Sequence, residues 1–141
     1  YMAGFADGEG CFSIQHHWNC GPFRYHNCKV QVSNTKRPVL CLFLKHYGGA
    51  IWRTVPKNKH WKVRYDWRLE RAEDVKRFIL DMLPYLIVKR RAALNVLKLA
   101  EFLFSRENHR QGYSTKERDF VLILKAKNRI INKKGNDLAI Q

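Results

Sequence analysis

The sequence predicts an α+β fold in the order α-β-β-α-β-β-α-α-α, with four antiparallel strands in one sheet and the helices on one face of it. Three observations predict it. Apolar residues alternate with a period of two across residues 11–33 and 50–69, and fall at helical spacing elsewhere. Clusters of Gly, Pro and Asn separate these runs where turns and helix ends belong. The chain has 141 residues and 45% hydrophobic content, the size of one domain around one core, taken as residues 1–141 with a helical part from about 106 onward.

The elements follow in order. Tyr1–Gly8 is apolar and rich in small residues and reads as the end of a helix, which Gly10 breaks; with no initiator Met, residues before Tyr1 are expected. From Cys11 the period becomes two: Phe12 and Ile14 alternate with Ser13, Gln15 and His17. Asn19-Cys20-Gly21-Pro22 forms a turn, and Tyr25, Asn27, Lys29, Gln31 and Ser33 then alternate with His26, Cys28, Val30 and Val32. Pro38 opens a helix whose Leu40, Phe43, Leu44 and Tyr47 share a face, and Gly48-Gly49 ends it. A second hairpin spans Ala50–Val55 and His60–Leu69, with Val63, Tyr65, Trp67 and Leu69 opposite Lys62, Arg64, Asp66 and Arg68. A helix from Arg71 carries Val75, Phe78, Ile79 and Met82 and stops at Pro84. Another covers about Lys89–Phe104, with Leu94, Leu97 and Glu101 on adjoining turns. Ser114-x-x-Glu117 is a capping box for a last helix near 115–132, with Phe120, Ile123 and Leu124 as its apolar face.

Charge points to the partner. There are 27 Lys and Arg against 12 Asp and Glu, a formal net charge of +15. Residues 10–65 hold ten Lys and Arg and no carboxylate, with Gln15, Trp18, Tyr25, Asn27, Gln31 and Trp52 interleaved. That mixture suits phosphate neutralisation together with base-edge readout. A basic amphipathic helix for a membrane surface is not what this Gly- and Pro-broken stretch forms, and no stretch approaches a membrane span. Cys11, Cys20, Cys28 and Cys41 lack the C-x-x-C spacing of common zinc sites. No charged-then-apolar leader opens the chain, so reduced thiols and an intracellular location, in an organelle or a prokaryotic cytoplasm, are expected.

Residues Met2-Ala3-Gly4-Phe5-Ala6-Asp7-Gly8-Glu9-Gly10 are the specific signal. Gly within a helix costs about 1 kcal/mol against Ala, and close approach by another backbone is the gain that offsets it. An acid at a helix C-terminus opposes the dipole and calls for a cation. This stretch resembles the nine-residue motif of the LAGLIDADG homing endonucleases, and the order of elements extends the resemblance to about residue 105.

The resemblance implies the following. Motif helices of two subunits pack through small residues, which places Ala3, Gly4, Asp7 and Gly8 at a dimer interface, with Asp7 structural. Glu9 matches the metal-binding acid, and the Gly8 carbonyl would be a second ligand. One copy of the motif implies a homodimer and a roughly palindromic double-stranded DNA target. The cofactor is Mg²⁺, with Mn²⁺ or Ca²⁺ able to substitute in binding. Asn34 fits a water-orienting residue or a turn-capping Asn before Thr35. Lys89 fits a lysine that stabilises charge near the phosphate, or a solvated helix-start lysine. A basic residue after the second strand aligns with Pro38, leaving Lys36 or Arg37 for that role. The open sheet face supplies DNA-binding candidates: Ser13, Gln15, His17, Arg24, Tyr25, Asn27, Lys29, Gln31, Arg53, Lys62, Arg64, Asp66 and Arg68, together with Arg37. Arg and Lys suit guanine, Gln and Asn suit adenine, and Asp66 can accept from cytosine. The activity implied is Mg²⁺-dependent double-strand DNA cleavage that promotes intron mobility. An RNA-binding intron maturase and a DNA-binding protein without catalysis are the alternatives.

Overall fold

A computed structural model describes residues 1–17, 25–106 and 112–133. The elements are α1 (Met2–Glu9), β1 (Gly10–His17), β2 (Tyr25–Asn34), α2 (Arg37–Tyr47), β3 (Ala50–Thr54), β4 (Arg64–Leu69), α3 (Ala72–Met82), a 3₁₀ turn (Leu83–Tyr85), α4 (Arg90–Ser105) and α5 (Thr115–Ile131). The four strands form one antiparallel sheet in the order β1-β2-β4-β3. The expected order of elements is thus the observed one; the turn expected at Asn19–Pro22 lies outside the described residues.

The alternation read from the sequence sorts the sheet into two faces. Phe12, Ile14, Cys28, Val30, Val32, Trp67 and Leu69 are buried against the helices. At the centre of that layer Trp67 packs on Phe43 and Phe78, with ring centroids 5.1 and 5.3 Å apart, and its indole N–H donates to the Gly48 carbonyl at 2.8 Å. That carbonyl is presented by the Gly48-Gly49 stop of α2, where both glycines have φ in the left-handed region, at 73° and 82°. Helix α2 starts with Pro38 in its first turn, as expected.

Two expectations shift, those for the second hairpin and for α5, and α4 shows which of its residues are buried. The second hairpin is shorter than its pattern: residues 55–63 connect β3 and β4 as coil, so Lys62 lies outside the sheet. On α4 the buried stripe is Ala92, Ala93, Val96, Leu97, Leu99 and Ala100, while Leu94 and Glu101 are exposed. On α5 the buried residues are Val121, Leu124 and Asn128, and Phe120 and Ile123 face outward. The cause of this last rotation is β1. It is an edge strand, whose outward N–H and C=O groups need partners. Asn128 supplies them: its Oδ1 accepts from Ile14 N at 3.0 Å and its Nδ2 donates to the Phe12 carbonyl at 3.0 Å, with Asn132 donating to the same carbonyl at 2.9 Å. A polar side chain therefore outranks two apolar ones for the inward face. The capping box is present as expected, Ser114 and Glu117 each bonding the other's backbone.

Candidate nucleic-acid interface and catalytic helix end

Helix α1 leads directly into β1, so its last residue sits where the sheet begins. Gly10 closes this seam. Its N–H donates to the Ala6 carbonyl, and a Cβ there would run into that same oxygen. Ala3 and Ala6 pack into the chain's own core. Placing Ala3 at the dimer interface is thereby corrected: its methyl, three residues from Ala6, is on the inward face. Gly4 and Gly8 differ. Both are exposed, and a Cβ built on either meets nothing within 4 Å. They are four residues apart, hence on one face, and no contact among the described residues offsets their helix-propensity cost.

Asp7 is engaged inside the chain. Its carboxylate accepts backbone N–H bonds from Ile87 (3.1 Å), Val88 (3.0 Å) and Lys89 (2.8 Å). Burial alone would raise its pKa; those three donors and the Lys89 charge more than offset this and hold it below the usual carboxylate range. The acid thus ties the start of α4 to the end of α1 and places half-buried Lys89, the residue capping α4, beside the Gly8–Glu9 end. Ile87 and Val88 are left 85% and 75% exposed next to α1. Sequence reasoning passed over these two, although a run of three apolar residues, Leu86-Ile87-Val88, between two helices was the available signal.

Glu9 is exposed, and among the described residues no hydrogen bond or ion pair engages its carboxylate. The donors at this end are a free carboxylate and the helix's terminal carbonyls, Gly8 included, an all-oxygen set that fits a hard divalent cation. Among the described residues no three His, Cys, Asp or Glu side chains gather into a metal cluster. Asn34 ends β2, and its Oδ1 accepts from Lys36 N at 2.8 Å, the turn-capping arrangement, which leaves its amide donors available. Arg37 begins α2, exposed, with one Nη 3.6 Å from Cys41 Sγ.

The register sets the polar face. Ser13 pairs with Lys29, Gln15 with Asn27 and His17 with Tyr25; Gln31 pairs with Arg68 and Ser33 with Asp66. Burial, and then the neighbouring Arg68 charge, lower the Lys29 pKa, a crowding that a phosphate would relieve. Three expectations on this face are corrected. Arg53 pairs with Tyr65, which in turn pairs with Asn34; it lies at a register position of the opposite face, because the run Ala50-Ile51-Trp52-Arg53 puts Trp52 and Thr54 on the polar side. Lys62 is exposed in the β3–β4 connection. Asp66 is fully buried, with both oxygens occupied, and is not presented to a cytosine. Arg24 lies outside the described residues. Trp52, 56% exposed with Arg68 over its ring at 5.6 Å, belongs to the face and was missed as a site residue. Its alternation with Arg53 was the signal.

A four-stranded antiparallel sheet with helices on one face, led by a small-residue helix, is a fold this chain shares with solved homing endonucleases. Among solved structures, the archaeal intron-encoded homing endonuclease I-Vdi141I complexed with DNA superposes with a TM-score of 0.77 at 20% identity, over 96% of this chain and 84% of that one. The homing endonuclease I-CvuI in complex with its target in the presence of calcium gives 0.71 at 20% identity, over 95% and 82%. I-SmaMI bound to uncleaved DNA with calcium gives 0.71 at 20% identity, over 98% of this chain but 47% of that one. No protein-family model and no curated protein matches the chain.

Proposed function

We propose that this protein is a sequence-specific homing endonuclease that binds a long, roughly palindromic DNA site as a homodimer and hydrolyses one phosphodiester in each strand. The observation that carries the reading is the Asp7 clamp: it brings Lys89 to the helix end that bears the unpartnered Glu9, at the margin of the open basic sheet. The shared fold supports it, since I-Vdi141I and I-CvuI are DNA-bound homing endonucleases. The coverage of I-SmaMI supports two copies, as this chain corresponds to about half of that longer one.

Each residue then has a task. Glu9 and the Gly8 carbonyl would hold a divalent ion, Mg²⁺ in the cell, jointly with the phosphate and the second copy. Such an ion, when bound, polarises the phosphate and lowers the pKa of an attacking water. The Lys89 ammonium neutralises charge that builds on the phosphate, and its backbone tether to Asp7 keeps it there without reorganisation. The Asn34 amide donates to and orients water at the end of β2. Ser13, Gln15, Asn27, Lys29, Gln31, Arg64 and Arg68 face the groove; Arg37 and Lys36 contact backbone phosphates.

The test is incubation with a library of long duplexes in Mg²⁺, wild type against Glu9→Gln. The wild type cuts both strands of a selected site; Glu9→Gln binds that site and does not cut it. Cleavage by both proteins, or selection of no site by either, overturns the assignment.

A further inference from the structure

Resting on the DNA-reading role just proposed, the polar face also shows how that reading is organised. Asp66 lies in β4 on this face yet is fully buried. Four side chains cover its two oxygens. The Ser33 hydroxyl donates to Oδ1 at 2.5 Å and accepts from the Gln31 amide at 3.1 Å. The Thr54 hydroxyl donates to Oδ2 at 3.3 Å. Arg64 sets its Nε 3.0 Å from Oδ1 and one Nη 3.3 Å from Oδ2. Arg68 brings an Nη within 3.7 Å of Oδ2 while its guanidinium lies over the Trp52 ring. Burial raises the Asp66 pKa; the Ser33 hydroxyl, Arg64 and Arg68 more than offset this and keep the carboxyl below its ordinary range, so it is ionised near neutrality.

The geometry of Arg64 is informative. A guanidinium has five N–H donors in a planar fork. Asp66 occupies the lateral pair, Nε and one Nη, and leaves the terminal pair of N–H groups on this half-exposed side chain without a contact to Asp66. That terminal pair matches the O6 and N7 acceptors of guanine. The register locates it. Arg64 pairs with Thr54, one step beyond the Tyr65–Asn34 pair at the inner end of β2, whereas His17 and Tyr25 pair at the far end of the sheet. Arg64 and Arg68 thus stand at the Asn34 end, next to the catalytic centre.

We propose that Asp66 is a positioning residue for specificity: from beneath the sheet surface it fixes Arg64, and with Trp52 it fixes Arg68, so that these arginines read guanine in the inner part of each half-site. The buried acid contacts no base itself.

The experiment compares wild type, Asp66→Asn and Arg64→Gln against a set of duplexes that carry every single-base change across the selected site, scoring binding and cleavage at each position. Wild type requires guanine at one or more inner positions. Asp66→Asn reduces discrimination there by about tenfold, the scale of one lost bidentate contact, leaves the preferences set at the outer positions, and raises affinity for non-target DNA, since a buried negative charge beneath the DNA-facing arginines is gone. A merely structural role would lower preference evenly along the site. Arg64→Gln, a change at an exposed side chain that tests the idea even if Asp66→Asn fails to fold, loses the preference at a single inner position. Unchanged base preference in a folded Asp66→Asn protein, unchanged preference in Arg64→Gln, or an even loss at all positions overturns the inference while the endonuclease reading stands. A wild type that selects no sequence overturns both.

Discussion

At His26 an imidazole is buried on the helix-facing side of β2, its ring 4.8 Å from the tilted His16 ring, with Lys125 nearby. Burial first, then His16 and Lys125, lower its pKa from 6.5 to about 4. Between those values the unfolded chain binds a proton that the native state refuses. Stability is therefore full above about pH 6.5 and falls as the pH drops toward 4, by about 2–3 kcal/mol. Urea titrations across that range should show the decline, and His26→Leu should flatten it; an equal slope in both proteins would contradict the assignment. The alternation of β2 made the burial of His26 legible, since it shares a parity with Cys28 and Val30. The fate of Asp66 was not legible. Its parity put it on the polar face, correctly, but whether a short acid between two arginines reaches DNA or is covered by them depends on Ser33 and Thr54 on neighbouring strands. Asp7 shows the same limit: the motif made it structural, while its partners lie some eighty residues on.

Helix α5 is held by its polar residues as much as by its apolar ones. Asn128 fills two backbone positions on β1, and Asn95 of α4 donates to the Leu124 carbonyl at 2.7 Å. Asn128→Ala strands a buried N–H and leaves the Phe12 carbonyl with Asn132 alone, at about 1–3 kcal/mol per unsatisfied group. A loss of about 2–4 kcal/mol in chemical denaturation is expected, with the far-UV spectrum unchanged; a loss below about 0.5 kcal/mol would refute the edge-covering role. Helix and strand periods made nearly every element legible, and the two glycines after Tyr47 fixed the end of α2. The inward face of α5 was read one residue off, because hydropathy alone ranks Ile123 above Asn128 and carries no information about an unpaired strand edge.

Two copies are required by the proposed chemistry, and Gly4 and Gly8 supply a measurable consequence. A Cβ at Gly4 meets no atom of the described residues within 4 Å, and the position is exposed, so Gly4→Leu should leave the single chain folded, and slightly more helical by propensity. Analytical ultracentrifugation should then show monomer where wild type shows dimer, with double-strand cleavage lost. A dimeric, active Gly4→Leu protein would exclude this helix face as the contact. The small-residue stripe and the acid at its end were legible together because one short stretch carries both. The exposed Ile87 and Val88 beside them were not, since only the Asp7 clamp brings residues so distant in sequence next to α1. The seam at Gly10 has a consequence for inheritance. Strand β1 starts one residue after Glu9, and its two faces are separated by parity alone. On the DNA-reading role proposed for this face, point changes at Ser13, Gln15 or their partners on β2 would alter the recognised sequence while the core is left intact. A single codon inserted at Gly10 would instead exchange the faces, turning Phe12 and Ile14 outward and the base readers inward. A lineage descended from this protein is free to drift toward new targets by substitution, and is barred from doing so by insertion or deletion between its acid and its first strand.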